Sequence, residues 1–323
     1  AMGVSALGTN TTGANNTAVG RAALFTSNAN SNTAIGYYAL RLNTTGARNA
    51  AVGANALENN TTASDNTGIG YLALQNNTGG GNSAVGSRAL DSNTTGGNNT
   101  AVGDQALTAN TTGTSNTAVG RQALAANTTS SYNTAFGFEA LSTLNGGQYQ
   151  TAFGYQAAKA LTDGSSSTAI GSKAMLVATT ASQCTAVGEG SMIALTTGNY
   201  NVAIGGQTLE AITTQSNNTA LGFQALEDNT ADNNTGIGYL ALTANTTGTR
   251  NTAVGVSALD SVTTGGNNVA LGHNAGSSYA TGGQSIFIGR DSGGTGGNGI
   301  TAIGYFACNQ TTADNTMGIG YNA

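Results

Sequence analysis

The sequence lacks proline and tryptophan altogether, and it contains only one histidine, two cysteines and few charged residues. A single histidine, His273, excludes a multi-histidine metal site, and a Ser-His-Asp triad would have to centre on it. Charged residues make up 7% of the chain and form no basic stripe, which argues against nucleic-acid binding. No apolar run approaches the ~18–20 residues of a membrane span, and no signal peptide is visible. We therefore expect no membrane insertion of this segment.

What the sequence has in abundance is one repeat, built on Asn-Thr-Ala-Val-Gly and first complete at residues 16–20. We call its last residue the marker glycine; it recurs nearly always 17 residues apart, sometimes 16 and once 15. The high content of Gly, Asn and Thr could indicate a disordered chain, but the strict apolar periodicity argues against disorder. A fixed period of this size indicates a repeat architecture. The marker glycines are Gly3, Gly20, Gly36, Gly53, Gly70, Gly86, Gly103, Gly120, Gly137, Gly154, Gly171, Gly188, Gly205, Gly222, Gly238, Gly255, Gly272, Gly289, Gly304 and Gly320.

The consensus is Asn-Thr-Ala-Val-Gly-x-x-Ala-Leu-x-x-Asn-Thr-Thr-Gly-x-x, which is too short for a strand, a full helix and two connections. The β-branched residues, Asn and Gly also disfavour helix. The sequence therefore predicts an all-β fold, a parallel β-solenoid (β-roll) of about 19 short coils with a 16–17-residue period. Each coil is expected to hold two strands, Thr-Ala-Val and one including Ala-Leu, separated by Asn/Thr/Gly turns. Stacked coils would then form two parallel sheets, with coils about 4.8 Å apart.

The residue before each marker glycine is large and apolar, from Val19 and Ile35 to Ile319, and the residue before that is almost always Ala or Gly. Successive strand residues point to opposite faces, so both faces of this strand are apolar. We expect the Ala face to line the lumen of the coil and the larger residue to need a partner surface. A parallel fibre with an axial core makes a homotrimer the natural assembly.

Two chemical features that recur from coil to coil suggest structural roles. The marker glycine is expected to relieve a tight bend that a Cβ would obstruct, or to take a positive φ. The asparagine that leads the strand is expected to bond coil to coil and to satisfy the turn backbone, although a ligand-binding amide row is the alternative. These strand asparagines include Asn16, Asn32, Asn49, Asn66, Asn82, Asn99, Asn116 and Asn133, and they resume at Asn201.

We interpret residues 1–323 as a single repeat domain, with regular coils in residues 1–136 and 223–272. In residues 137–222 an apolar residue replaces the asparagine of Asn-Thr-Thr, which would give either a thicker subunit contact or an exposed binding patch. Residues 273–323 are divergent and glycine-rich, and their run of glycines indicates a flexible loop or the approach to a different module. The apolar replacements are Leu144, Leu161, Ala178, Leu195 and Ile212.

Neither end of the sequence carries an atypical capping unit, so we expect a fragment of a longer fibre. Cys184 takes a strand-asparagine position and Cys308 takes a leucine position. They would lie far apart in a stack of coils, which favours free thiols or small core fillers over a disulfide.

Candidate chemistry is sparse. Glu210 and Glu227 occupy equivalent positions in adjacent coils and could form a weak cation site or a glycosidase-like pair, but solvated turn charges are the favoured explanation. Arg41 and Glu58 are also equivalent neighbours and predict a surface ion pair. We therefore assign no catalytic, cofactor-binding or metal-binding residue, expect no cofactor, and predict that the protein is not an enzyme.

Aromatic residues often follow the marker glycine, where they could stack on sugar rings or pack at a subunit seam. They are Tyr37, Tyr71, Phe138, Tyr155, Phe223, Tyr239, Tyr305 and Tyr321.

Three stretches, residues 167–171, 201–205 and 268–272, resemble the head repeats of YadA-type trimeric autotransporter adhesins. They read Ser-Thr-Ala-Ile-Gly, Asn-Val-Ala-Ile-Gly and Asn-Val-Ala-Leu-Gly. The Ala-Leu…Asn-Thr-Thr-Gly elaboration is similar to repeats of phage tail fibres and other receptor-binding fibres. The resemblance covers essentially the whole chain. It implies a left-handed β-roll, three chains side by side, and an extracellular location on a bacterial surface or a virion.

Our leading hypothesis is a non-enzymatic structural or adhesive fibre segment, with a cell-surface glycan or receptor as its partner. An ice-binding solenoid is a competing hypothesis, because regular threonine pairs such as Thr44-Thr45, Thr94-Thr95 and Thr111-Thr112 could present a flat hydroxyl array. A glycan-degrading tailspike is a third, although no convincing acidic cluster supports it.

Overall fold

A computed structural model of the chain describes residues 1–309 and 311–323, and the regular elements of these residues are nineteen short parallel β-strands. They form an all-β solenoid at the predicted period, which confirms the fold class. The residues fall into two compact units, Ala1–Ser165 and Ser166–Ala323. Each unit is described by itself.

The first unit holds nine strands, and each pairs in parallel with the next along the chain. The strands are β1 (Thr17–Val19), β2 (Thr33–Ile35), β3 (Ala50–Val52), β4 (Thr67–Ile69), β5 (Ser83–Val85), β6 (Thr100–Val102), β7 (Thr117–Val119), β8 (Thr134–Phe136) and β9 (Thr151–Phe153).

The second unit holds ten strands with the same order of pairing. They are β10 (Thr168–Ile170), β11 (Thr185–Val187), β12 (Val202–Ile204), β13 (Thr219–Leu221), β14 (Thr235–Ile237), β15 (Thr252–Val254), β16 (Val269–Leu271), β17 (Ile286–Ile288), β18 (Thr301–Ile303) and β19 (Met317–Ile319).

Each coil contains one strand rather than the predicted two, so each unit has one parallel sheet where we expected a pair. The prediction of a second strand at Ala-Leu is wrong because this segment is a series of turns. Tyr38 and Leu40 adopt φ values of 58° and 50°, in the left-handed region that an extended strand does not visit. The N–H of Leu40 still finds an acceptor, the carbonyl of Ala56 in the next coil at 3.0 Å. Coil-to-coil hydrogen bonding therefore continues through the turns.

The lumen of the coil is packed with small and branched apolar side chains. Ala34 of β2, Ala39 and Leu40 are each fully buried, and the register that pairs Ala34 with Ala51 repeats from strand to strand. The prediction that the alanine face lines the lumen is confirmed. Burying a leucine contributes about 1.5–3 kcal/mol, which offsets the cost of its left-handed backbone, about 1–2 kcal/mol.

The marker glycine is required on two grounds, of which the positive φ was predicted and the contact with the next coil was not. Gly103 has a φ of 134°, which L side chains rarely adopt. A Cβ on Gly103 would also lie 2.6 Å from the carbonyl oxygen of Gly120 in the next coil. The column of marker glycines thus brings successive backbones into direct contact.

The strand asparagines form the predicted ladder. The side-chain oxygen of Asn16 accepts a hydrogen bond from the backbone N–H of Asn32 at 2.9 Å. The side-chain nitrogen of Asn32 donates to the carbonyl of Gly46 in the next turn, also at 2.9 Å. Each such amide therefore joins one coil to the backbone of the following coil, and this accounts for its burial.

A second ladder runs through the asparagines of Asn-Thr-Thr, here called the turn asparagines. Asn110 donates from its side-chain nitrogen to the side-chain oxygen of Asn93 at 2.7 Å and to the carbonyl of Gly113 at 3.0 Å. Asn127 donates in the same way to Asn110 at 2.9 Å. These side chains are fully buried, so the second ladder is part of the core.

The apolar residues that replace the turn asparagines are also fully buried; they are Leu144, Leu161, Ala178, Leu195 and Ile212. Both interpretations of this stripe, a subunit contact and an exposed patch, are therefore wrong. The replacements fill the same interior corner of the coil that the amides occupy elsewhere, and they do not reach the surface.

The glycine-rich part of the second unit keeps the repeat, so the expected loop or new module is absent from its described residues. Strand β18 follows the glycine run and pairs with both β17 and β19. Phe287 replaces the lumen alanine and is fully buried, because Gly276 stands where the leucine would be. A Cβ on Gly276 would lie 2.7 Å from the Phe287 ring. The large and small substitutions compensate each other within the lumen.

Both cysteines are free and buried, as predicted. The thiol of Cys184 contacts the carbonyl of Gly198 at 3.4 Å, in place of the strand-asparagine amide. Burial raises the pKa of this thiol, which disfavours the reactive thiolate.

Candidate functional site: the outer face of the coils

The outward side of each strand presents one large apolar residue, the residue before the marker glycine. We call the row of these residues the outer column. In the first unit the most exposed members range from Val19 at 37% to Phe153 at 52%. The alternation is the same in every strand, with the middle residue buried and its two neighbours partly exposed. The lumen cannot bury the outer column, because the strand points these side chains away from it.

The outer column of the second unit has the same character. Ile170 and Ile204 are each 39% exposed, and Leu221 is 46% exposed. The residue two places earlier on each strand points the same way and is threonine or apolar, as at Thr168, Val202 and Thr219. The surface beside the outer column is therefore uncharged at the strand itself.

Several aromatic side chains stack between neighbouring coils rather than forming one continuous row. In the first unit Phe138 and Tyr155 stack with centroids 5.6 Å apart, and Phe136 and Phe153 of the outer column stack at 4.7 Å. In the second unit Phe223 lies 6.1 Å from Tyr239, and Tyr305 lies 5.3 Å from Tyr321. A further exposed pair, Tyr132 and Tyr149, stacks at 5.3 Å.

The sequence reasoning missed that last pair because it falls before the strand asparagine, outside the row that follows the marker glycine. Tyr132 and Tyr149 are separated by one period, and that spacing was the available signal. The structure thus gathers three stacked aromatic pairs on strands β8 and β9 and the turns beside them.

The residues considered for chemistry lie on the surface of the second unit. His273 is exposed, and Glu210 and Glu227 border a surface cavity together with Asp228. Partial burial, and then repulsion from Glu227, raise the pKa of Glu210. Among the residues that the structure describes, no three His, Cys, Asp or Glu side chains are placed to share a metal ion.

The predicted ion pair between Arg41 and Glu58 is present, with Nη2 and Oε1 2.8 Å apart. It is less exposed than expected, because Glu58 retains only 7% of its accessible surface. Glu58 also accepts hydrogen bonds from Asn55 at 2.6 Å and Gln75 at 3.1 Å. The carboxylate is therefore held by a small network rather than by one surface arginine.

The threonine pairs lie in turns, as the sequence indicated. The hydroxyl of the first member donates to the carbonyl one coil further on, as Thr44 does to Thr61 at 3.0 Å and Thr94 does to Thr111 at 2.9 Å. The hydroxyl protons of these residues are thus engaged by the backbone.

A pocket near the start of the first unit brings together residues that the sequence did not connect. It has a volume of about 220 Å³ and is lined by Ser5, Arg21, Ala22, Phe25, Tyr38 and Arg41. Three successive coils supply these side chains. The available signal was the coincidence of Tyr38 with arginines one coil before and three residues after it, in a chain with few charges.

A scan against protein-family models finds no family that matches the chain, and a search of curated proteins finds no matching relative. The structure contains no helix, among the residues it describes, that is long and apolar enough to cross a membrane.

Proposed function

We propose that this chain is a non-enzymatic structural and adhesive segment of a homotrimeric fibre, which acts outside the cell in attachment to a cell surface. The observation that carries the proposal is the outer column. Its apolar side chains recur on every coil, and most of them remain about 40–50% exposed in a single chain, as at Ile35, Phe136 and Leu221. Contiguous exposed apolar surface of this kind is typical of interaction sites.

Further copies of the same chain are the partners that fit the column best. Each copy presents its apolar residues at the same coil spacing, so parallel copies meet coil by coil around a closed symmetry axis. The threonines and alanines beside the column, as on β6 and β3, bring no charge that would have to be desolvated.

Three copies are favoured over two by the resemblance to trimeric adhesin heads, in which three β-rolls lie side by side. Three-fold symmetry would in turn multiply weak contacts with a surface, which raises avidity without any new contact.

The experiment that tests the proposal is the solution mass by light scattering. We expect three times the 31.7 kDa of one chain. Val85 and Val102 occupy neighbouring positions of the column on β5 and β6, and replacing both by lysine would place charges in the shared interface. The double variant Val85→Lys/Val102→Lys is expected to lower the mass towards that of one chain.

Thr95→Lys is the matched control, because Thr95 is exposed in a turn away from the outer column. It should keep the mass of the native protein. A native protein that stays monomeric across the micromolar range would refute the proposal. So would an equal loss of mass in the control and the column variant.

A further inference from the structure

The pocket lined by Ser5, Arg21, Ala22, Phe25, Tyr38 and Arg41 carries an unbalanced positive charge. Arg21 forms no ion pair with any residue that the structure describes. Arg41 pairs with Glu58, which lies outside the lining. The lining contains two guanidinium groups and no carboxylate, so after the Glu58 pair one positive charge remains. The chain as a whole has a net charge of -5, which makes this local excess distinctive.

The guanidinium group of Arg41 also has an unused donor. Its Nη2 is held by Glu58, but its Nε is buried and donates to no described residue. Buried N–H groups nearly always have an acceptor, and an exception calls for an explanation. Planar carboxylates match the fork of an arginine and can accept two parallel hydrogen bonds from it. Arg21, which has no ion pair among the described residues, is the arginine that can offer such a fork.

The wall of the pocket is aromatic and well supported. The Tyr38 ring lies between the two arginines, with its centroid 4.6 Å from Cζ of Arg41 and 6.0 Å from Cζ of Arg21. Tyr37 stacks on Tyr38 with centroids 3.9 Å apart. A hydrogen bond with Tyr38 raises the pKa of Tyr37, so the Tyr37 ring stays neutral near pH 7. The Tyr38 ring adds apolar carbon beside two cationic groups.

Phe25 closes the other side of the pocket and occupies space that the neighbouring coil leaves empty. Gly8 stands opposite its ring, and a Cβ on Gly8 would lie 2.5 Å from ring carbon Cε2. The hydroxyl of Ser5 adds a polar group to the same lining. The pocket therefore combines apolar ring faces, a hydroxyl and two arginines in a volume suited to one small ring.

We propose that this pocket binds a sugar unit that carries a carboxylate, of the hexuronic-acid type, within a surface polysaccharide. The arginines bind the carboxylate, the sugar ring contacts Tyr38 and Phe25, and Ser5 contacts a ring hydroxyl. The inference rests on the proposed attachment function and deepens it, because it names the chemical class of the surface ligand. The site recognises the charge and the ring together. A neutral sugar lacks the carboxylate that the arginines bind, and a small inorganic anion lacks the ring.

The test is a titration of the full chain by calorimetry with D-glucuronate, D-glucose and inorganic phosphate. We expect saturable binding of glucuronate, and binding of glucose and phosphate that is at least about tenfold weaker. Glucose is the matched ligand because it has the same ring without the carboxylate. Equal affinity for phosphate would overturn the claim that the pocket recognises a sugar ring. Equal affinity for glucose would overturn the claim that the arginines bind a carboxylate.

Matched variants locate the binding. Arg21→Ser removes a pocket arginine, and serine stands at the equivalent position as Ser87. Arg48→Ser removes an arginine of the same unit that pairs with Asp65 at 2.6 Å, away from the pocket. Glucuronate affinity should fall about tenfold in the first variant and stay unchanged in the second. An equal effect of the two would overturn the assignment of the site.

Tyr38→Asn tests the ring, and asparagine occurs with the same left-handed backbone at the equivalent Asn55. The variant should lower the affinity for glucuronate and leave the residual phosphate binding unchanged. An unchanged glucuronate affinity would contradict the contact between the sugar ring and Tyr38. Light scattering on the same samples separates the two proposals. Loss of the trimer with intact glucuronate binding would refute only the proposed assembly. A trimer without glucuronate binding would refute only the pocket.

Discussion

The coils of the first unit fill one interior corner in two chemically opposite ways. From Asn43 to Asn127 the corner holds the turn asparagines, and each from Asn60 onwards donates to the one before it; from Leu144 onwards the corner holds leucine. Both solutions are fully buried and leave the strand register unchanged. An amide row and an apolar row are therefore interchangeable in shape, and the difference between them lies in what happens where they meet.

The junction leaves one acceptor unpaired. The side-chain oxygen of Asn127 has no hydrogen-bond partner among the described residues, because the next coil offers Leu144 in place of a donating amide. The second unit repeats the pattern, since the oxygen of Asn245 is also unpaired and Val262 follows it one coil later. The start of a ladder has no such defect, because Asn43 donates to Ser27 and to Gly46. The free-energy cost of an amide row, one unpaired acceptor, is thus located at its C-terminal end.

The largest effect is expected from breaking the ladder in its middle with Asn110→Leu. The substitution removes the bonds to Asn93 and Gly113 and the bond from Asn127, and it leaves the side-chain oxygen of Asn93 as a second unpaired acceptor. We expect the free energy of unfolding to fall by about 3 kcal/mol. Urea unfolding followed by circular dichroism measures the change, and a loss below about 1 kcal/mol would contradict the ladder as a stabilising element.

An intermediate effect is expected from Leu144→Asn, which extends the ladder by one coil. The new amide would donate to Asn127, but the unpaired oxygen would move to residue 144 and face Leu161. Loss of a buried leucine costs about 2–3 kcal/mol, and one new hydrogen bond returns about 1 kcal/mol. A net loss of about 2 kcal/mol in the same urea experiment is expected. A gain in stability would show that the junction costs more than one unpaired acceptor.

The smallest effect is expected from Asn127→Leu, which carries the same substitution as Asn110→Leu but at the last position of the ladder. The bonds to Asn110 and to the carbonyl of Ser130 are lost, but that carbonyl keeps a second donor in Asn116. The unpaired oxygen moves back by one coil, so the number of unpaired acceptors stays the same. The new leucine also packs against Leu144. The free energy of unfolding should stay within about 1 kcal/mol of the native value. Equal losses for the two leucine variants would show that position in the ladder is irrelevant.

The same comparison shows where sequence reasoning succeeded and where it stopped. The period, the lumen alanines and the marker glycine could be predicted from local rules. Each of these positions has a single steric requirement that one residue type meets. Exchange of asparagine for leucine at a single position was read as a change of surface. An asparagine can replace a buried leucine without reaching the surface when the asparagines of successive coils hydrogen-bond to one another. Whether they do depends on the residue that the next coil places at the same corner.

The missing second strand has a related cause. Ala-Leu is apolar and short, as strands often are, and leucine rarely takes a left-handed backbone. Only the stacked neighbour, which supplies an acceptor for the N–H of Leu40 and buries its side chain, makes that conformation favourable. The pocket at Arg21 escaped detection for the same reason, since its residues come from three successive coils.

The strand-asparagine ladder has a direction, and that direction matters when the chain is made. Asn32 completes its side-chain bonds with Asn49 and Gly46, both of which leave the ribosome after it. At ordinary rates of synthesis a coil of this length emerges in about one to three seconds, far longer than the microseconds in which short β-structure forms. Every new coil can therefore dock on a finished template before the next is translated. Growth by addition to an existing end keeps the unpaired edge confined to the most recent coil.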